Sequence, residues 1–266
     1  MSYFTNQVVW ITGASSGIGE ALVYAFAKEN AKIILSARRE KELIDVQKKA
    51  GLSSENSMIL TLDLEKNEDY TNEANAILKK FGKIDQVIHN GGVSQRSLVK
   101  DTKLSVFRRI IEINYLGAVS LTLSTLPIFQ KQKSGQYTVI TSIVGKIGSP
   151  LRSGYSGSKH ALHGFFDSLR AEEWGNGIRV LLVTPGYIQT QVSVNALVGD
   201  GNNQGTMDEA QAKGIPAEIC AKKILKSIQN GKEEIIIAGL RERLGTYLKR
   251  FFPKTLSKIL RNAKVT

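Results

Sequence analysis

One cysteine, Cys220, stands among 266 residues, so an intrachain disulfide and a cysteine-built metal cluster are both excluded. Cys220 itself is expected on the buried side of a helix. The three histidines are scattered without metal-ligand spacing, and no metal site is predicted. Long apolar runs are also missing. No stretch reaches the ~18 to 20 residues that a membrane-spanning helix requires, and the opening MSYFTNQ has neither the basic flank nor the apolar core of a secretory signal. These features predict a cytoplasmic protein, at most peripheral to a membrane. Internal repeats and low-complexity linkers are absent too, and the length suits a single α/β domain.

Charge, by contrast, is plentiful and uneven. The net charge is +12, and Arg241 to Lys264 carries eight Lys or Arg against one acid, a local +7 that leaves +5 for the rest. The excess therefore belongs mainly to the tail, residues 241–266, which divides the chain into a body, 1–240, and a basic C-terminal extension. In that tail Leu244, Tyr247, Leu248 and Phe251 recur at helical spacing, and Leu256, Ile259 and Leu260 repeat the stripe after Pro253. Such a basic amphipathic segment, 241–264, suits an anionic membrane interface or packs on its own chain or a neighbouring subunit. It lacks a recognisable nucleic-acid reading module, so nucleic acid is not an expected partner.

Short β-branched runs alternate with longer segments of helical period. Strands are predicted at Gln7 to Thr12, Lys32 to Ala37, Ser57 to Leu62, Asp85 to Asn90, Tyr137 to Ser142, Ile178 to Thr184 and Glu234 to Ala238. Helices are predicted near 17–29, 39–50, 67–80, 101–133, 153–175 and 216–230. The alternation predicts a single-domain, Rossmann-type, doubly wound parallel sheet of seven strands, followed by the amphipathic helical extension. The polar, glycine-rich segment 186–214 breaks the rhythm and reads as a lid over a substrate.

VVWITGASSGIGEAL reads strand, glycine turn, helix, with Gly13, Gly17 and Gly19 where backbone meets a ligand or packs tightly. Ser15, Ser16 and Ile18 fill the turn, and the free N–H groups and positive dipole end of the next helix suit a pyrophosphate. Glycines alone would equally make a structural turn; the flanking strand and helix favour a nucleotide. About twenty residues on, where an acid would grip the ribose of NAD, the chain has Ala37, then Arg38 and Arg39. Arg38 can pair with a 2′-phosphate, which predicts NADP(H) in preference to NAD(H); otherwise both arginines simply end the strand in solvent.

Further along, Ser142 closes a strand, and Tyr155 and Lys159 lie four apart, one turn from each other on a helix. A free phenol is too weak an acid for chemistry at neutral pH, but a nearby ammonium favours its ionised form. Ser142 can polarise a carbonyl oxygen while Tyr155 exchanges a proton with it. Tyr and Lys at this spacing are commonly surface neighbours; the glycine turn upstream gives the pair its weight.

Together these motifs resemble the short-chain dehydrogenase/reductases over nearly the whole chain to about residue 240. Within that family the strings LSARR, NGGVSQRS and SGSKHALHGFF are similar to the membrane-associated steroid and retinoid reductase branch, 11β-hydroxysteroid dehydrogenase-like, and its bacterial relatives. The resemblance implies an NADP(H)-dependent oxidoreductase interconverting a lipophilic carbonyl and its alcohol, commonly as a homodimer or homotetramer. It implies that Asp63 with Leu64 and Asn90 with Gly91 flank the adenosine, and that Lys159 also holds the nicotinamide ribose. Asn114 would hold a water that extends a proton relay from Lys159, and Pro185, Gly186, Ile188 and Thr190 would surround the nicotinamide. The family's usual NNAG stands here as His89, Asn90, Gly91, Gly92, and His89 is expected to be a structural strand-end group. Ser142, Val144, Leu151, Tyr155 and Tyr187 are the expected substrate contacts, with Ser94, Ile147 and Val192 further candidates in a mostly apolar lining. A 3-oxoacyl-thioester reductase and a non-catalytic NADP(H)-binding sensor are the alternative readings.

Overall fold

The computed structural model describes residues 2–66 and 69–261. Seven strands form one parallel sheet: β1 (Val8–Thr12), β2 (Lys32–Ala37), β3 (Ser57–Thr61), β4 (Gln86–His89), β5 (Gly135–Ile140), β6 (Ile178–Pro185) and β7 (Glu234–Ile237). Their spatial order is β3-β2-β1-β4-β5-β6-β7. The order reverses direction between β1 and β4, and open α/β sheets bind ligands at such a switch point beyond the carboxyl ends of the strands. All seven predicted strands are present.

The helices α1 (Gly17–Lys28), α2 (Glu40–Lys49), α3 (Thr71–Phe81), α4 (Leu104–Ile111), α5 (Gly117–Gln132), α6 (Ser153–Glu172), α7 (Glu209–Ala212) and α8 (Ala217–Gln229) cover the sheet or its loops. α9 (Leu240–Phe251) and α10 (Pro253–Arg261) form the extension. The helix expected from 67 begins at Thr71; Asn67 and Glu68, like residues 262–264 of the basic tail, lie outside the described residues.

Alternation along β1 shows why the sheet needs cover on both faces. Val9 and Ile11 join a core with Phe26, Leu35 and Ile224, whereas Val8 and Trp10 join the opposite core with Leu121, Tyr137 and Phe166. Each such fully buried side chain contributes roughly 1.5–3 kcal/mol relative to exposure. Cys220 lies fully buried in the first core, as expected, and burial pushes its thiol up to about 12. His89 also serves the core: its Nε2 lies 3.0 Å from Thr122 Oγ1, its ring stacks on Tyr137, and burial pulls its pKa down to about 3. A neutral, enclosed imidazole is the structural group that its position suggested.

The helix predicted over 101–133 is not continuous. A π-helical turn, Glu112–Leu116, separates α4 from α5. Asn114 sits in that turn and spends its amide on another segment: Oδ1 accepts from Val93 N at 2.8 Å, and Nδ2 donates to Val93 O at 2.9 Å. A wider turn at a functional residue is a recurring device. Its side-chain partner lies 21 residues away, so helical periodicity carries no sign of it.

Candidate active site

The first βα turn meets β4 at the switch point. Gly13 and Gly17 have left-handed backbone, φ 65 and 60°, and a side chain on Gly19 would come within 2.2 Å of Gly13 O. Asn90 locks the turn, its Nδ2 donating to Thr12 O and Gly13 O, each at 3.1 Å. Gly19 thus acts by packing and stays behind the wall. Gly13, Ser15, Ser16, Gly17 and Ile18 instead face a cavity of about 1350 Å³. The wall next to the glycine turn also includes Arg38, Arg39, Asp63, Leu64, Asn90 and Gly91. Arg38 is exposed beyond the end of β2, while Arg39 lies 3.3 Å from Ser15 Oγ and 3.5 Å from Glu42.

The catalytic candidates line the same cavity. Ser142 was expected at the end of a strand, but β5 stops at Ile140. Ser142 instead caps a short 3-10 turn, Ile143–Gly145, and its Oγ accepts from Val144 N at 3.3 Å. α6 carries Tyr155 and Lys159 on one face, and Tyr155 and Ser142 share the cavity wall. The Lys159 ammonium lies 5.8 Å from the centre of the Tyr155 ring and donates to Ile140 O at 2.8 Å. Burial lowers its pKa to about 8. A Cβ added to Gly92 would lie 3.0 Å from Asn114 Oδ1 and 3.6 Å from Lys159 Nζ, which places both groups against the same backbone. Asn114 lies behind the cavity wall, and its Nδ2 also donates to Ser158 Oγ at 3.0 Å.

Electrostatics around the phenol differ from the sequence expectation. Burial pushes the Tyr155 pKa above its ordinary value; the Ser142 hydroxyl pulls it down, and so do the charges of Arg152 and Arg96. Two arginines therefore act on a tyrosine that the sequence pairs with Lys159 alone.

Ser142, Val144, Tyr155 and Tyr187 line the same cavity, together with Ser94, Ile147 and Val192. Leu151 does not. Its backbone is left-handed, φ 63°, and its carbonyl accepts from Ser97 N at 3.0 Å, so the wall is made by Ser149 and Arg152 on either side of it. Pro185, Gly186, Ile188 and Thr190 complete the wall between the two halves. The expectation of a lining with few fixed charges is corrected by Arg96, Arg152 and Glu242, all of which face the cavity.

The 186–214 segment folds down over this half. Leu197 N donates to Ser94 O at 2.9 Å, and Arg96 N donates back to Leu197 O at 2.8 Å. The extension completes the rim: Leu256 joins Ile143 and Ile147 in a small core, with Leu248 and Leu260 packed against it. Glu242, in the first turn of α9, accepts from Gly239 N at 2.6 Å and from Tyr187 N at 3.0 Å. A side chain on Gly186 would collide with that carboxylate, at 2.2 Å.

Comparison with known proteins follows the same outline. A family model described as short chain dehydrogenase matches residues 7–198. Dehydrogenase/reductase SDR family member 7 of Homo sapiens is 40% identical over 254 residues, covering 94% of this chain and 75% of that protein. Dehydrogenase/reductase SDR family member 7B of Xenopus tropicalis is 39% identical over 259 residues, 95% of this chain and 84% of its own. Among solved structures, a short-chain dehydrogenase from Streptomyces avermitilis superposes with a TM-score of 0.79 at 23% identity, over 96% of each chain. One from Burkholderia phymatum, in complex with NAD, also gives 0.79, at 19% identity over 97% of this chain and 94% of that one.

Proposed function

The chain belongs to the short-chain dehydrogenase family, and from that premise we propose that it reduces a lipophilic ketone or aldehyde to its alcohol with NADPH. The observation that carries the reading is the meeting of Ser142, Tyr155 and Lys159 on the wall of the cavity that also holds the glycine turn. The residues present fit a nicotinamide dinucleotide. The glycine turn leaves room for a pyrophosphate, and Ala37 with exposed Arg38 offers a 2′-phosphate a cation and no opposing acid. When bound, the nicotinamide supplies hydride.

The protein's part is orientation and proton transfer. Ser142 Oγ holds the carbonyl oxygen, and Tyr155 donates its hydroxyl proton to that oxygen as it gains negative charge. The Lys159 ammonium stabilises the phenolate left behind. Asn114, braced by Val93 and Ser158, lies beside Gly92 where a relay from Lys159 toward solvent can pass. In the oxidative direction the same groups run in reverse. With a panel of lipophilic ketones and quinones, Tyr155→Phe should lower kcat by about 10³-fold or more while leaving NADPH affinity within a few-fold. Full turnover by that variant would remove Tyr155 from the chemistry.

The extension supports a second element, contact with an anionic membrane surface. No helix among the described residues is long and apolar enough to cross a membrane. Leu240, Leu244, Tyr247 and Phe251 nevertheless expose a stripe along α9, each more than half accessible, with Arg241, Arg243, Lys249 and Arg250 around it. Apolar side chains inside a basic field match an interface of anionic headgroups over acyl chains. The full chain should sediment with phosphatidylserine vesicles and not with phosphatidylcholine ones. Indifference to both compositions would leave the stripe to a second subunit, in keeping with the oligomers common in this family.

A further inference from the structure

Proton transfer by Tyr155 depends on where its phenol is held, and a residue outside the cavity anchors its backbone. Ser94 and Arg96 line the cavity; Gln95, between them, is fully buried behind the wall. Its Oε1 accepts from Gly154 N at 2.7 Å and from Tyr155 N at 3.3 Å. These are the second and third residues of α6, whose free N–H groups a side chain at the start of a helix ordinarily serves. Arg152, which precedes the helix, carries only donors on its side chain and cannot take that role. The cap comes instead from a glutamine 59 residues before Gly154 in the chain.

The surroundings are shaped for this contact. A Cβ on Gly154 would lie 3.1 Å from the Gln95 oxygen and 2.9 Å from Phe107 Cδ1, so a residue without a side chain lets both approach. The Gln95 amide is held at its other end, where Nε2 donates to Ser97 Oγ at 3.2 Å and to Thr102 Oγ1 at 3.3 Å. A reversed amide would set donors against the two N–H groups of α6. The Tyr155 carbonyl accepts from Ser158 Oγ at 2.8 Å, so the residue is gripped at both ends of its backbone. Gln95 also pairs with Leu197 of the 186–214 segment, and Arg96 and Arg152 reach the Asp208 carboxylate of that segment at 2.8 and 3.4 Å. One glutamine thus joins the segment folded over the substrate side to the helix that carries the phenol.

We propose that Gln95 is a positioning residue for the reduction: it sets the first turn of α6 so that the Tyr155 hydroxyl meets the carbonyl oxygen beside Ser142. The inference rests on the reductase reading and adds to it a group that touches neither substrate nor cofactor. A reacting group displaced by about 1 Å loses on the order of 100-fold in rate, whereas the glycine turn and the strand ends around it do not depend on this cap. The simpler alternative is a cap that stabilises the helix and leaves the chemistry alone.

Three variants of the full chain separate these. Gln95→Met keeps the length and removes both hydrogen-bonding ends. Gln95→Asn keeps the amide but draws it back by about 1.5 Å, one C–C bond. Gln95→Glu keeps an acceptor for both N–H groups. With NADPH and the ketone or quinone that the unaltered chain reduces fastest, kcat should fall about 10- to 100-fold in Gln95→Met and Gln95→Asn and return to within about fivefold in Gln95→Glu. NADPH affinity and KM for the carbonyl should change by no more than about threefold. A readout free of turnover is carbon-13 NMR of tyrosines labelled at Cζ, in the full chain saturated with NADP⁺, with the Tyr155 signal assigned by its loss in Tyr155→Phe. That signal should shift or broaden in Gln95→Met and Gln95→Asn and approach its original position in Gln95→Glu, while those of Tyr70 and Tyr137, in the core, stay in place. Should Gln95→Met fail to fold, Gln95→Asn carries the comparison. A kcat within about threefold of the unaltered chain, whatever the melting temperature does, would reduce Gln95 to a structural cap. Should the unaltered chain reduce no ketone or quinone, the reductase reading falls, and the Tyr155 signal alone decides whether Gln95 positions the phenol.

Discussion

The two halves of the cavity are built by different means. The half proposed for the cofactor is built around a glycine turn, a helix start and the ends of β1, β2 and β4, locked by Asn90. On the substrate side the wall is assembled from side chains far apart in sequence, with Arg96 meeting Asp208 across 112 residues and Glu242 reaching back 55 residues to Tyr187. A phosphate bound in the first half would meet backbone N–H groups and a helix end, which recognise it whatever the surrounding sequence. The second half can be re-specified by single substitutions. Cofactor class should therefore be robust, and substrate preference easy to shift.

Arg38 offers the sharpest way to break that contrast, since it is a side chain on the backbone-built side. Replacing it by Ala should weaken NADPH about 10- to 100-fold, the loss of a charge-assisted phosphate contact, and leave NADH within about threefold. Fluorescence titration of both cofactors measures it. Equal losses would move the 2′-phosphate away from Arg38, with Arg39, already 3.3 Å from Ser15 Oγ, the next residue to test.

The same division decides what the sequence could disclose. Gly13, Gly17 and Gly19, and Tyr155 with Lys159, are local patterns, legible because a turn or one helical step fixes their geometry. The strands were legible for a related reason: buried parallel strands read as β-branched runs bounded by turns. Ser142 was found, although in a 3-10 turn beyond β5 and not at the strand's end. The π-helical turn at Asn114 was hidden because its cause is the backbone of Val93. Arg96, Arg152 and Asp208 were missed for a stronger reason. A buried ion cluster has no periodicity, and each member alone resembles a surface charge. Leu151, one of the expected apolar contacts, does not line the cavity, where Arg152 does.

Proton chemistry sharpens the comparison within the catalytic group itself. Burial holds the Tyr155 phenol above its ordinary pKa and the Lys159 ammonium down at about 8. Reduction needs the phenol protonated and the ammonium charged, so kcat/KM for reduction should be flat near neutrality. It should fall as pH rises through about 8, approaching tenfold per pH unit. Oxidation of the alcohol needs the phenolate and should climb over the same range. The folding sign is the opposite of a salt-bridged lysine's: the unfolded chain binds the extra proton between about 8 and the ordinary 10.5, so Lys159 favours the folded state increasingly as pH rises through that window. Profiles in both directions check the chemistry. A reductive rate that stays level to pH 10 would show that the Lys159 charge is not needed.

The smallest effect expected is at the seam between body and extension. Glu242 ties α9 to the turn after β6 through two charge-assisted bonds, to Gly239 N and Tyr187 N. In Glu242→Gln one of those N–H groups would face an amide donor, and the turn carrying Gly186 and Tyr187 would loosen at the substrate side. KM for the carbonyl substrate should rise about threefold with kcat nearly unchanged, and the melting temperature should drop by roughly 2–4 °C. NADPH affinity should change less, because the phosphate cradle lies in the other half of the cavity. A lower melting temperature with both KM values intact would make Glu242 a helix cap alone; a larger effect on NADPH than on substrate would show that the two halves are coupled through the turn after β6.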